Sequence, residues 1–347
     1  MVDVSVVIPA LHEYPQIIHT IFSIQNEFSD LNYSYEILVV ENGEQDEYTP
    51  QFLNYFRIPI SQKWLKYFFE STPCGPAARM AGAREAEGKY VVFTDAHVEF
   101  GKNTIPLLVE TIEKKDAGMV CGSTIKTHCR NGDNNKGCIP HHVGSHYELF
   151  VGGGPKLYSH FHGGYRKPGN VTEPYLIAGG PLAYAIFNRE EFLKLRGYHP
   201  ACRFYPHPEG YVPLKYWMFD RECWAHPMAY HFHSNYPRGG MKTGYKTIEK
   251  LSIDIRGDPY KLVGNDYVIY NAMICGYTLG GEPWLKRIYD YWSQKMRSMY
   301  VLNGIRDNAL TAAQEERNWI LDNANRTLDE VLENLHKMKV RGIESLG

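Results

Sequence analysis

The stretch Gly88-Lys-Tyr-Val-Val-Phe-Thr-Asp-Ala-His-Val-Glu-Phe100 constrains this chain more than any other. Tyr90 to Thr94 is a short β-branched and aromatic run, the composition of a strand buried on both faces. It runs straight into Asp95-Ala96-His97. In an open α/β sheet, ligands bind beyond the carboxyl ends of the strands. Alternate residues of an extended chain point the same way, so Asp95 and His97 can share a face. Oxygen and imidazole donors together suit a divalent transition ion, and such an ion suits a diphosphate. Taken alone, the tripeptide also fits a strand followed by a polar turn that Asp95 caps, so its neighbours in the chain decide.

Those neighbours alternate between strand and helix. Val4 to Pro9 reads as a buried first strand, with Ala10-Leu-His-Glu13 as the loop at its carboxyl end. Ile17, Ile18, Ile21, Phe22 and Ile24 give one apolar helical face. Glu36 to Val40 is a second strand that delivers Glu41, Asn42 and Gly43 to the same edge, and Trp64 to Phe69 is a third. Pro76 suits the first position of a helix running to about Glu87, which carries Arg79 and Arg84. Strand and helix in alternation are the signature of a parallel sheet with right-handed crossovers.

The segments Val-Ser-Val-Val-Ile-Pro-Ala-Leu-His-Glu, Glu-Ile-Leu-Val-Val-Glu-Asn-Gly, Gly-Pro-Ala-Ala-Arg-Met-Ala-Gly-Ala-Arg-Glu-Ala-Glu-Gly-Lys-Tyr and Phe-Thr-Asp-Ala-His occur in that order. Together they resemble the nucleotide-sugar half of a family 2 glycosyltransferase. That resemblance implies a GT-A fold, a Rossmann-like and mostly parallel α/β sheet flanked by helices, here with a helical C-terminal extension. It spans about the first hundred residues and, less closely, 175–235. It implies a UDP-sugar donor, with Ala10 and Glu13 along the nucleoside and Arg79 facing the diphosphate. Asn42 stands where the family usually has a base-reading Asp. Asp95-x-His97 replaces the usual Asp-x-Asp and is similar to the motif of the polypeptide N-acetylgalactosaminyltransferases, which bind manganese and a UDP-sugar. Those enzymes retain anomeric configuration, whereas family 2 members usually invert it.

The second half of the implied site begins at Gly179-Gly180, comparable to a glycine pair at the acceptor end of the family's donor site. Family members place a Glu-Asp pair before the next helix, with the Asp as base; here Pro208-Glu209 stands there, so Glu209 fills the role. The last core strand of the family ends in a His that often completes the metal shell. Within Ala229 to His233 the alignment favours His231, with His233 as its substitute on the same face. Arg238 and Lys242, among glycines, suit a lid that closes on diphosphate. Plainer readings stand beside these: turn chemistry for Glu13 and Asn42, a favourable helix-terminal charge for Glu209, and hydrogen-bonded core imidazoles for the histidines.

Composition bounds the rest. A chain of 347 residues accommodates one large α/β domain plus an appendage, expected as 1–250 and 251–347. A formal net charge of −2 supplies no global basic field, so a nucleic-acid partner would need a local patch. Tyrosines number 26, which fits sugar or base stacking and core packing alike. No apolar run reaches membrane-span length, the N-terminus enters a strand at once, and seven scattered cysteines argue for a reducing compartment; the expectation is a cytoplasmic enzyme.

Residues 126–174 form an insertion holding His128, Cys129, Cys138, His141, His142, His146, His160 and His162 among many glycines. A second metal site could be drawn from them, yet the spacing fits no standard zinc pattern, and a glycine-rich loop shaping the acceptor pocket is the stronger expectation. Asn188 caps a helix from Arg189 to Leu195, and Tyr211 to Trp224 reads as another. The segment 280–347 is mostly helical in composition, with a capping box at Thr327-Leu-Asp-Glu330; these helices cover the catalytic domain or pair it into a homodimer. The expected reaction is Mn²⁺- or Mg²⁺-dependent transfer of a hexose or N-acetylhexosamine from a UDP-sugar to a hydroxyl, with inversion favoured. The acceptor would be a glycan, a small molecule or a modified DNA base. The rival expectation is a non-catalytic nucleotide-sugar or glycan-binding protein that keeps the fold.

Overall fold

A computed structural model describes residues 2–29, 32–43, 45, 47–127, 146–149, 163–166, 171–180, 184–203, 210–234, 252–255, 258–262, 265–338 and 340. Four strands form as the sequence leads one to expect: β1 (Val4–Ala10), β2 (Tyr35–Asn42), β3 (Leu65–Glu70) and β4 (Tyr90–Thr94). They pair in parallel, in the order β3-β2-β1-β4. Their side chains alternate between two cores, as a strand buried on both faces requires. Val91 and Phe93 of β4 join one, and Tyr90 and Val92 join the other. Helix α1 (Gln16–Phe28) seals the second core with Ile17, Ile21 and Ile24. After the short α2 (Thr49–Tyr55) and α3 (Arg57–Ser61), helix α4 (Gly75–Glu85) packs on the first. A Cβ on Gly82 of α4 would stand 2.3 Å from Val7 Cγ1, so only glycine lets this helix lie so close to β1.

The remaining strands are β5 (Val98–Phe100), β6 (Met119–Thr127), β7 (His146–Leu149), β8 (Gly163–Arg166), β9 (Tyr175–Leu176), β10 (Tyr184–Asn188), β11 (Cys223–Ser234), β12 (Ser252–Ile255) and β13 (Asp258–Lys261). The sheet continues past β4 as β10-β6-β11-β5. Here it becomes mixed: β10 runs antiparallel to both β4 and β6, and β5 antiparallel to β11. Antiparallel neighbours need no crossover helix. Between β6 and β10 the described chain is β-structured, including the separate hairpin of β7 and β8. The cysteines and histidines of this insertion lie outside the described residues, apart from the backbone of His146.

Helix α5 (Thr104–Lys114) precedes β6, and α6 (Arg189–Lys194) is capped by the Asn188 side chain, which accepts from the Glu191 N–H at 3.1 Å. Helix α7 spans Tyr211–Met218, shorter than the expected helix to Trp224. Asp220 takes a left-handed conformation (φ 59°), and the apolar residues beyond it pair as β11, with Trp224 beside Val120. Continuous apolar composition does not separate buried helix from buried strand. Three helices follow: α8 (Asn265–Ser293), kinked at Gly281, α9 (Met299–Asn323) and α10 (Leu328–Lys337), opened by the Thr327–Glu330 capping box. Ile269, Leu302 and Leu332 from them share the core that holds Phe93 and Phe187 of the sheet. Among the described residues, no helix is long and apolar enough to cross a membrane.

Candidate active site at the carboxyl edge of the sheet

Asp95 and His97 leave the end of β4, and strand pairing brings the third member to them. In the β5–β11 register His233 lies opposite Val98, next in chain to His97, whereas His231 lies opposite Phe100. Asp95, His97 and His233 therefore gather, each offering one ligand atom, all within 4.8 Å of one another. His233 Nε2 stands 3.5 Å from Asp95 Oδ2, and the two imidazoles meet edge to face at 4.8 Å. The grouping takes in His233, the expected substitute, rather than the favoured His231. His231 is sealed in the core, with Nε2 3.4 Å from the Thr124 hydroxyl and its ring 4.2 Å from Tyr184. Burial, aided by the neighbouring His233, pushes its pKa down to about 3, so it stays neutral.

Two further side chains orient the cluster. Arg79 of α4 donates from Nη2 to Asp95 Oδ1 at 3.0 Å, which directs Oδ2 toward His233. Arg79, expected to face a diphosphate, thus holds Asp95. Glu13, expected along the nucleoside, stands with Oε2 3.1 Å from His97 Nδ1. A carboxylate on Nδ1–H fixes the tautomer and leaves Nε2 as the ligand atom, the usual outer partner of a metal-bound imidazole. Burial opposes ionisation of Asp95, but the His233 hydrogen bond and the charges of Arg79, His97 and His233 prevail and hold its carboxyl well below the usual range.

The donor set fits a divalent ion. One carboxylate and two imidazoles match Mn²⁺-like preferences better than those of an all-oxygen ion such as Ca²⁺. Neighbouring ligands bonded at about 2.1 Å sit about 3–3.5 Å apart, so atoms within 4.8 Å of one another must draw closer to share one ion.

Beside the cluster lies a shallow cleft whose lining includes Ala10, Glu13, Tyr14, Glu41, Thr49 and Tyr67. Asn42, buried behind it, donates from Nδ2 to the Ala10 carbonyl at 2.8 Å, tying the ends of β1 and β2. The Glu41 carboxylate accepts from Thr49 Oγ1 at 2.9 Å and from the Tyr67 hydroxyl. Tyr14 and Tyr48 stack with ring centroids 5.8 Å apart. Sequence reasoning missed Glu41, Tyr14, Thr49 and Tyr67. Glu41 could have been found, since it precedes Asn42 at the same strand end; the others come from separate elements that no spacing connects.

Gly179 and Gly180 are both buried. A Cβ on Gly180 would meet Cys121 Sγ at 2.8 Å, so packing against β6 alone requires glycine there. Glu209, Arg238 and Lys242 lie outside the described residues.

A parallel strand set that runs on into a mixed sheet, flanked by helices and ending in a carboxylate–imidazole cluster, is the architecture of a GT-A glycosyltransferase. The model of "Glycosyl transferase family 2" matches residues 5–196, and the chain belongs to that family. It is 31% identical over 138 residues to a dolichyl-phosphate beta-glucosyltransferase of Dictyostelium discoideum, covering 37% of this chain and 41% of that protein. It is 26% identical over 234 residues to N-acetylgalactosaminyltransferase 6 of Drosophila melanogaster, covering 65% of this chain and 33% of that one. The chain thus spans well under half the length of these relatives. A crystal structure of GalNAc-T7 with UDP, GalNAc and Mn²⁺ superposes with a TM-score of 0.67 at 16% identity, over 97% of this chain and 57% of that one. That likeness extends through the C-terminal helices.

Proposed function

We propose that the protein transfers a hexose or N-acetylhexosamine from a UDP-sugar to an acceptor hydroxyl in a reaction that requires Mn²⁺ or Mg²⁺. The observation that carries this reading is the Asp95–His97–His233 cluster, in which Arg79 engages Asp95 and Glu13 engages His97. A bound ion would supply charge to offset the diphosphate as it leaves. Asp95, His97 and His233 would hold it. Arg79 keeps Asp95 ionised and aimed, and Glu13 keeps the His97 lone pair directed inward. The nucleoside occupies the cleft beside Glu41. One N–H of Asn42 is given to Ala10; its amide oxygen is proposed to accept from the uracil N3–H, with the second N–H available to a uracil carbonyl. Arg238 and Lys242 are the candidates to add positive charge over the diphosphate.

Glu209 is the proposed base. It stands in sequence just before α7, where the family places its acid pair, and takes the acceptor proton as the hydroxyl attacks the anomeric carbon with inversion. The Asp-x-His motif and the match to an N-acetylgalactosaminyltransferase favour a second reading, retention, in which Glu209 positions the acceptor or the sugar. Three measurements decide. Protein with Mn²⁺ and a panel of UDP-sugars should release UDP by slow hydrolysis, and no release from any donor would favour a binding protein. Glu209→Gln should keep UDP-sugar affinity while turnover falls roughly 10²–10⁴-fold. The product anomer, read by NMR, should be opposite to the donor; a retained anomer or an active Gln variant assigns the second reading.

A further inference from the structure

Helices α8 and α9 are joined by a short turn, 294–298, and the side chains around it are of two kinds. Arg287, Tyr291 and Lys295 follow one another at four-residue intervals, so they line one flank of α8 and its last hydrogen-bonded turn. Lys295 Nζ stands 4.2 Å over the Tyr291 ring and donates to its hydroxyl at 2.6 Å. Arg287 lies 4.9 Å over the Trp284 ring with its own side chain exposed. Arg297 is exposed in the turn itself, and Met299 and Tyr300, 42% and 49% exposed, open α9. The two acids beside this stretch already have cations of their own. Asp290 pairs with Lys286 at 2.5 Å, and Asp307 pairs with Arg306 at 2.8 Å. Arg287, Lys295 and Arg297 have no acidic partner among the described residues, so the tip stays positive on a chain whose formal net charge is −2.

An exposed apolar side chain needs no explanation by itself. Here an exposed Met and Tyr stand among unpaired cations, and the combination selects among occupants. Lysine and arginine lay their stems along apolar surface while the charged heads stay at the level of water and phosphate. Tyrosine, with an apolar ring and a polar tip, settles at the boundary between headgroups and acyl chains. A second copy of the chain is disfavoured, because a two-fold contact through this face would set its cations against their own copies. A nucleic acid is served less well, since tight backbone binding draws on about 6–10 phosphate contacts and this tip offers half of that or fewer. A flat anionic surface matches both the few charges and the two apolar side chains.

We propose that the α8–α9 tip docks the protein reversibly on a lipid surface rich in anionic headgroups. Met299 and Tyr300 enter the headgroup boundary, and Arg287, Lys295 and Arg297 meet lipid phosphates. None of these residues lines the cleft or joins the Asp95–His97–His233 cluster, so the inference stands apart from the reading of the reaction. Its test is co-sedimentation of the full chain with vesicles of phosphatidylcholine alone and of phosphatidylcholine with about a third phosphatidylserine. The chain should bind the second kind and not the first, and binding should weaken as salt is raised. Arg287→Gln, Lys295→Gln and Arg297→Gln should each lower the vesicle partition coefficient roughly fivefold, and the three together roughly 10²-fold. Met299→Ser with Tyr300→Ser should weaken binding while leaving its salt dependence in place. Melting temperatures of the charge variants should match the parent's, since these cations are exposed and hold no acid; those variants carry the test even if Tyr300→Ser destabilises α9. Equal binding to both kinds of vesicle overturns the proposal, as does no binding to the anionic one or a triple variant that binds like the parent. Tighter binding to a duplex oligonucleotide than to anionic vesicles at the same salt also overturns it, and assigns the tip to nucleic acid.

Discussion

Two polar clusters in this molecule use the same kinds of side chain to opposite ends. At the sheet edge, Asp95, His97 and His233 are 15%, 13% and 11% exposed, with Asp95 braced by Arg79 and His97 by Glu13. In the second cluster, where Glu316 of α9 meets Lys215, Tyr211 and Arg196, Lys215 is 0% and Glu316 4% exposed, and their partners are all within the protein. The first keeps an outward side for a ligand to complete; the second is complete as it stands. Burial alone therefore does not mark a functional charge. What distinguishes the edge cluster is that two or more ligand atoms converge on one point while their other atoms are held from behind.

The largest expected effect tests the open side of that contrast. Chelation should lower turnover by at least about 10²-fold, since an ion at a leaving diphosphate supplies several kcal/mol of charge stabilisation. His97→Ala should do the same while shifting the melting temperature by only a few degrees. Full turnover after EDTA treatment, with the metal content checked, would sink the metal role.

The sealed cluster should respond in the opposite sense. Glu316→Ala takes the counter-charge from the wholly buried Lys215, and breaking a buried ion pair on one side costs about 3–5 kcal/mol. Denaturant unfolding should report that loss, while Mn²⁺-dependent UDP affinity of the folded fraction stays put. If affinity falls with stability, the two clusters are not separable and the comparison breaks.

How much of this was legible before the structure follows from the same contrast. The edge cluster was half visible, because Asp95 and His97 sit in one strand end with period-2 spacing, and Arg79 and Glu13 fall in recognisable segments. The choice between His231 and His233 was not, because both point to the same face and only the β5–β11 register separates them. The sealed cluster was invisible. Arg196, Tyr211 and Lys215 of α7, and Glu316 come from three places up to 120 residues apart, and a lysine inside an apolar helix reads as a surface residue. The parallel half of the sheet followed from local alternation. The antiparallel placement of β10 and the early stop of α7 depend on long-range pairing and on one left-handed residue, Asp220.

A smaller effect sharpens the edge site. Asn42 commits one N–H to Ala10 and keeps its amide oxygen and a second N–H, an acceptor and donor that suit the N3–H and a neighbouring carbonyl of uracil, whereas cytosine offers the acceptor no N3–H. Calorimetry in Mn²⁺ should rank UDP above GDP and CDP by about tenfold or more, roughly 1.4 kcal/mol. Equal affinities would leave Asn42 a purely structural tie between β1 and β2.

The smallest expected effect reads the sealed cluster through pH. His199 is 1% exposed, accepts the Ala201 N–H on Nδ1 at 3.1 Å and packs edge-on against Tyr211. Burial first, then the charges of Lys215 and Arg203, push its pKa from 6.5 down to about 3. Between those values the unfolded chain binds a proton that the folded chain does not, so stability rises with pH across this window and is lost as pH falls from 6.5 toward 3. Each full proton difference is worth about 1.4 kcal/mol per pH unit, so lowering the pH from about 6.5 to 5.5 should remove about 1 kcal/mol through this residue. His226 and His231 are also held down by burial and add to the slope with the same sign. His199→Gln keeps an acceptor for Ala201 and removes the titration, so its stability should fall less steeply with acid than the parent's. Urea unfolding at a series of pH values would measure both slopes. Identical slopes would mean that His199 takes up its proton in the folded state, and that this corner of the molecule is open to water in a way that Lys215 and Glu316 are not.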